Sequence, residues 1–145
     1  MLDVLNLDNN TNIIKAEFVI DLANNIDIDT CLNTFINKLK NKTITDEEIV
    51  DDCFIIIYSL GKYPEIFSKL MLLYPKCQQT ILVYQIMYYK RYNTNTQLIY
   101  PLIKSYYEIY GEQKNILLIE LDCLIMDGYK DVDRINYIVK KVKTM

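Results

Sequence analysis

Between Thr45 and Gly61 the chain carries a helix with both ends marked, and that segment restricts the fold more than any other. The apolar set Ile49, Val50, Cys53, Phe54, Ile57 and Leu60 steps by three and four, which is one face of a 3.6-residue helix. Thr45 followed by Glu48 forms a capping box, in which the hydroxyl accepts the N3 amide and the glutamate returns to the cap amide. Asp46, Glu47 and Glu48 sit at the positive end of the helix dipole. Gly61 stands where a left-handed residue ends such a helix. The spacing therefore predicts a helix over 46–60. The β-branched run Ile55-Ile56-Ile57 suits a strand taken alone, but the caps and the length of the segment favour a buried helix.

The same punctuation recurs along the chain. Pro64 and Pro75 fit first-turn positions, where a missing amide costs nothing, and they open predicted helices at 64–74 and 76–92. Gly111 and Gly128 close periodic segments, giving helices near 97–110 and 112–127. Asp131 caps a last helix over 132–143, with lysines 140, 141 and 143 at its negative end. Upstream lie 12–24 and 30–41, the second capped by Asp29. Pro101 leaves two choices: the helix begins there, or it is kinked there by a lost hydrogen bond. Residues 1–10, with Leu2, Val4, Leu5 and Leu7, read as an N-terminal arm. The expected fold is all-α, a compact bundle or short stack of about eight short helices. At 145 residues it is expected to form one domain with an ordinary hydrophobic core.

Residues 45–92 run helix, Gly/Pro turn, helix, Pro, helix, a layout that resembles armadillo or HEAT hairpins. Residues 96–143 share only the layout, with Gly111 standing near Gly61. The number of helices and the apolar segments 46–60 and 76–92 also resemble, in architecture, a viral Bcl-2-like bundle. The chain has no tryptophan and no Asn-Trp-Gly-Arg-type groove motif, so it departs from the residues that define that family.

Composition narrows function chiefly by subtraction. With no histidine, Ser-His-Asp, Cys-His and H-E-x-x-H sites are impossible. Three scattered glycines build neither a P-loop nor a dinucleotide turn, so no cofactor is expected. Cys31, Cys53, Cys77 and Cys123 contain no C-x-x-C pair, which argues against zinc, and read as buried, reduced thiols with a disulfide pair as the alternative. Asp46, Glu47, Glu48, Asp51 and Asp52 read as a solvated helix start, against a divalent-metal patch. Glu120 and Asp122, two apart on a helix, point to different faces and are no catalytic pair. A non-enzyme is expected. Asp3 stands where a signal peptide needs positive charge, and no apolar run approaches the ~18 residues of a membrane span. The cytosol or nucleus is the expected location. The wealth of Ile, Asn, Lys and Tyr is that of an AT-rich genome, such as a virus, a protist or a low-GC bacterium.

What remains is an asymmetry. Residues 1–60 hold four lysines against eleven acids, whereas residues 61–145 hold twelve basic residues against eight acids. All thirteen tyrosines lie at position 58 or later. The densest patch is Tyr88-Tyr89-Lys90-Arg91-Tyr92, echoed by Tyr106, Tyr107 and Tyr110. Tyrosine and arginine are enriched at binding surfaces, and these eight residues are the candidate site. The competing reading makes the rings boundary core and the cations a helix C-terminus. Three functions follow from these features. The first is an interaction module that binds a partner protein or peptide. The second is a nucleic-acid binder that uses the basic half, against which stands a pI near 5.0. The third is the Bcl-2-like bundle.

Overall fold

The computed structural model describes residues 11–92 and 95–145. It is all-α. Among the described residues there are eight α-helices, two short 3-10 helices and no strand. The helices are α1 (Thr11–Ala23), α2 (Ile28–Lys40), α3 (Asp46–Leu60), α4 (Glu65–Leu73), α5 (Gln78–Tyr92), α6 (Tyr100–Tyr110), α7 (Lys114–Met126) and α8 (Val132–Lys143). The expected N-terminal arm, and part of the polar break after α5, fall outside the described residues.

The helix ends show why these segments stop where they do. Thr45 accepts from the Glu48 amide at 3.3 Å, and Gly61 takes the left-handed conformation at φ +68°. Among the described residues the reciprocal half of the box, Glu48 onto the Thr45 amide, is not made. Asp131 caps α8 by accepting from the Arg134 amide at 3.1 Å. The cap of α2 is Asp27 and not Asp29: its carboxylate accepts the Thr30 amide at 3.1 Å, and the helix starts two residues before the expected position. Both aspartates are suitable caps, but Asp27 is the one whose backbone is non-helical (φ −50°, ψ 132°). Pro64 precedes α4, which covers Glu65–Leu73, and Pro75 opens a 3-10 turn, Pro75–Cys77, ahead of α5. Pro101 lies in the first turn of α6, and a separate 3-10 turn, Thr96–Leu98, precedes it. The helix begins one residue before this proline, whose missing amide therefore removes no helical hydrogen bond.

The chain divides into two compact units, Met1–Cys77 and Gln78–Met145. In the first, α1 packs along α2, and Phe18 stacks on Phe35 with ring centroids 4.4 Å apart and planes 6° apart. Phe54 of α3 meets Phe67 of α4 at 6.5 Å. Lys38 bridges to Glu17 at 2.5 Å, and Lys69 pairs with Asp29. Cys31, Cys53 and Cys77 are buried free thiols. Burial drives all three pKa values up, so they behave as apolar filler.

In the second unit α5 packs on α6 and α7, and α7 packs on α8. Leu117 and Leu124 of α7 form a core with Ile138 of α8, and Tyr100, Tyr107, Leu121, Ile135 and Val142 close around it. Cys123 of α7 is also buried, its thiol raised to about 11 by burial. The α7 helix touches α5, α6 and α8 and buries Ile116, Leu117, Cys123 and Leu124, while Leu118, Ile125 and Met126 on its other side stay exposed.

Candidate functional site

Glu120 is an acid on that apolar helix, 8% exposed, and a carboxylate so placed is stable only when its charge is answered. Arg134 of α8 answers it side-on. Nε donates to Oε2 at 2.7 Å and Nη2 to Oε1 at 2.7 Å, the bidentate geometry in which arginine holds carboxylates best. Tyr107 of α6 donates its hydroxyl to Oε1 at 2.7 Å. One carboxylate on α7 thereby ties down both α6 and α8. Glu112 extends the cluster. It accepts from Arg134 Nη2 at 3.0 Å, from Lys141 Nζ at 2.6 Å and from the Tyr137 hydroxyl. The Arg134 guanidinium also lies over the Tyr137 ring at 4.9 Å and the Tyr107 ring at 5.8 Å.

Electrostatics fix the protonation of this cluster. Burial pushes the Glu112 carboxyl upward, but the bonds from Lys141, Tyr137 and Arg134 outweigh it and hold the group at about 2. Burial and then the bond to Glu120 push the Tyr107 phenol far above its ordinary value. The bonds to Glu120 raise Arg134 further. The raised Tyr107 phenol stays protonated and serves as the donor to Glu120.

A second tie holds the start of α6. Asp127, at the end of α7, accepts from the Thr96 hydroxyl at 2.7 Å and from the Tyr100 hydroxyl at 2.6 Å. The two ties frame an open cleft of about 550 Å³. Tyr100, Pro101, Ile103 and Tyr107 supply its apolar and aromatic walls. Glu120 and Arg134 line it as well, and Gln97 and Lys104 add polar groups. Apolar walls with a few fixed polar groups are the usual make-up of a binding site. A smaller cleft of about 330 Å³ in the first unit lies among Val19, Leu22, Leu60, Lys62 and Tyr63. The Tyr63 hydroxyl there is already directed to the Leu22 carbonyl at 3.3 Å.

No known protein family, curated protein or solved structure matches this chain. What the site can do has to be read from its own residues.

The eight residues singled out from the sequence are dispersed by the fold. Tyr88 is 4% exposed and Tyr106 is 1% exposed, so both are core, not surface. Tyr106 accepts from Gln79 Nε2 at 3.0 Å and donates to Gln113, and Tyr110 rests on it at 5.0 Å. Tyr89 is half-buried, edge-on to Tyr88 at 5.4 Å. Lys90 reaches Asp122 of α7 at 2.6 Å, while Arg91 and Tyr92 lie exposed, one over the other at 5.4 Å. Of the eight, Tyr107 alone lines the cleft. Successive helical residues diverge by about 100°, so a dense run in sequence is not a continuous surface.

The candidate site leaves out Gln97, Tyr100, Ile103, Lys104, Glu112 and Arg134 altogether, and Pro101, Glu120 and Lys141 enter the sequence reading only as a helix breaker, half of a rejected acid pair and a helix end. One signal for them was present in the sequence. A glutamate inside Ile116–Ile125 demands a cation, and Arg134 follows one short turn later. Glu120 and Asp122 do face apart, the first toward Arg134 and the second toward Lys90. In the acidic start of α3, Asp46, Glu47 and Glu48 are exposed and Asp52 lies 3.5 Å from Lys15. Among the described residues no group of three or more Cys, Asp or Glu side chains has the arrangement of a metal site.

Proposed function

We propose that this chain is a non-catalytic interaction module that seats a short segment of a partner protein in the cleft between α6, α7 and α8. The observation that carries the reading is the cleft itself: an open trough of about 550 Å³ walled by Tyr100, Pro101, Ile103 and Tyr107. Rings and proline supply contact area that loses little entropy on binding. The walls are also braced, through Tyr100 to Asp127 and through Tyr107 to Glu120, so the trough is organised before a partner arrives. Chemistry at the same place has little support. Glu120 is the carboxylate lining the cleft, and the three bonds it accepts from Arg134 and Tyr107 make it a weak base.

The test is selection of heptapeptides from a random phage-displayed library on the full-length chain. Synthetic copies of the selected peptides are then titrated against the wild type and Pro101→Arg. Pro101 is exposed in the first turn of α6, so a long side chain there obstructs the cleft and leaves the core alone. The expected result is at least about a tenfold loss of affinity, the equivalent of ~1.4 kcal/mol. Undiminished binding to Pro101→Arg, or a library from which nothing is enriched, contradicts the reading.

A further inference from the structure

Charge at the cleft is not balanced. Three of its lining residues are of charged type, the cations Lys104 and Arg134 and the acid Glu120. Glu120 is spent on Arg134 and Tyr107. Arg134 uses Nε and Nη2 on Glu120 and Glu112, and among the described residues its Nη1, with two N–H donors, has no acceptor. Lys104 is exposed and makes no ion pair among the described residues, although Glu108 stands one turn on along α6. Arg134's charge is thus answered by Glu120 and Glu112, so the unanswered cation at the cleft is Lys104, with Nη1 of Arg134 as a further hydrogen-bond donor beside the apolar wall.

We infer that the segment received by the cleft carries an acidic side chain, held by Lys104 and Arg134, next to an apolar or aromatic residue that packs on Pro101 and Tyr107. The inference rests on the peptide-binding reading above and gives it a chemical class. Charge complementarity selects the acid, since a basic residue would meet Lys104 and find Glu120 already taken. A protein segment fits better than a polyphosphate chain. The lining carries one net positive charge, the walls are apolar, and the chain as a whole is acidic at −3. A phosphate backbone needs a row of cations, which these residues do not form.

The experiment uses the tightest heptapeptide from the selection and its amidated analogue, with Asp changed to Asn and Glu to Gln. A third version has the acids replaced by lysine, and a short oligothymidylate serves as control. All are measured by fluorescence anisotropy on the full-length wild type, Lys104→Ala and Lys104→Glu. Lys104 is exposed and outside the Glu112–Arg134 cluster, so these variants keep the fold. The expected result is roughly a fivefold loss on amidation or on Lys104→Glu, a smaller loss on Lys104→Ala, and recovery when the lysine peptide meets Lys104→Glu. If peptides bind and are blocked by Pro101→Arg but ignore amidation and Lys104→Glu, the acid requirement is wrong and the peptide-binding reading stands. If Pro101→Arg blocks nothing or no peptide is enriched, both fall. Binding of the oligothymidylate that Lys104→Glu abolishes, with peptides bound indifferently to charge, transfers the site to nucleic acid and overturns the inference.

Discussion

Tyr106 and Tyr107 are adjacent in the chain and opposite in role. Tyr106 is buried with its hydroxyl shared between Gln79 and Gln113, whereas Tyr107 lines the cleft and holds Glu120. Removing the Tyr106 ring leaves a cavity and orphans two amide side chains, so Tyr106→Ala is expected to cost about 3–5 kcal/mol. Tyr89 is half-buried and makes its ring contact edge-on with Tyr88, so Tyr89→Ala is expected to cost about 1 kcal/mol. Urea unfolding of the two variants checks both values. Equal costs would mean that burial does not separate core tyrosines from boundary ones here.

Helix α8 is attached by few apolar anchors. Ile138 is its one fully buried side chain, and burying it contributes roughly 1.5–3 kcal/mol. Ile135 and Val142 pack partly buried beside it, and the polar part of the attachment runs through Arg134 and Lys141 to Glu112 and Glu120. That dependence has a direction in pH. Glu112 is held at about 2 in the fold against an ordinary 4.5. The unfolded chain therefore binds its proton first, and the stabilisation is complete above about 4.5 and drains away as pH falls toward 2. Acid titration followed by amide hydrogen exchange is expected to show α8 losing protection before α5 and α7. Glu112→Gln should reduce that acid dependence and lower the protection of α8 at neutral pH. An α8 whose protection is indifferent to pH over this range contradicts the clamp. Much at this scale was legible in the sequence, because capping and periodicity are local. Thr45, Gly61 and Asp131 mark the observed ends of their helices, and the eight segments exist. Asp27 prevailed over Asp29 because both can cap and only backbone geometry decides. The cleft was not legible. Its residues come from α6, α7, α8 and the turn before α6, and nothing local in the sequence brings Gln97 near Arg134.

At the scale of the whole chain, acid and base are sorted between the two compact units. Met1–Cys77 carries seven lysines against twelve acids, and Gln78–Met145 carries nine basic residues against seven acids. The second unit's basic excess is only two, and three of its nine cations, Lys90, Arg134 and Lys141, are paired with Asp122, Glu112 and Glu120. This internal neutralisation is why an aromatic trough, and not a basic surface, is the feature on which the functional reading rests. The claim about where binding occurs is tested most directly by two-dimensional amide NMR of the full-length chain during titration with a selected acidic heptapeptide. The reading predicts that the perturbed amides cluster at Gln97, Tyr100, Lys104 and Tyr107 and around Glu120 and Arg134. Perturbations confined to 88–92, or falling in residues 11–77, would contradict it.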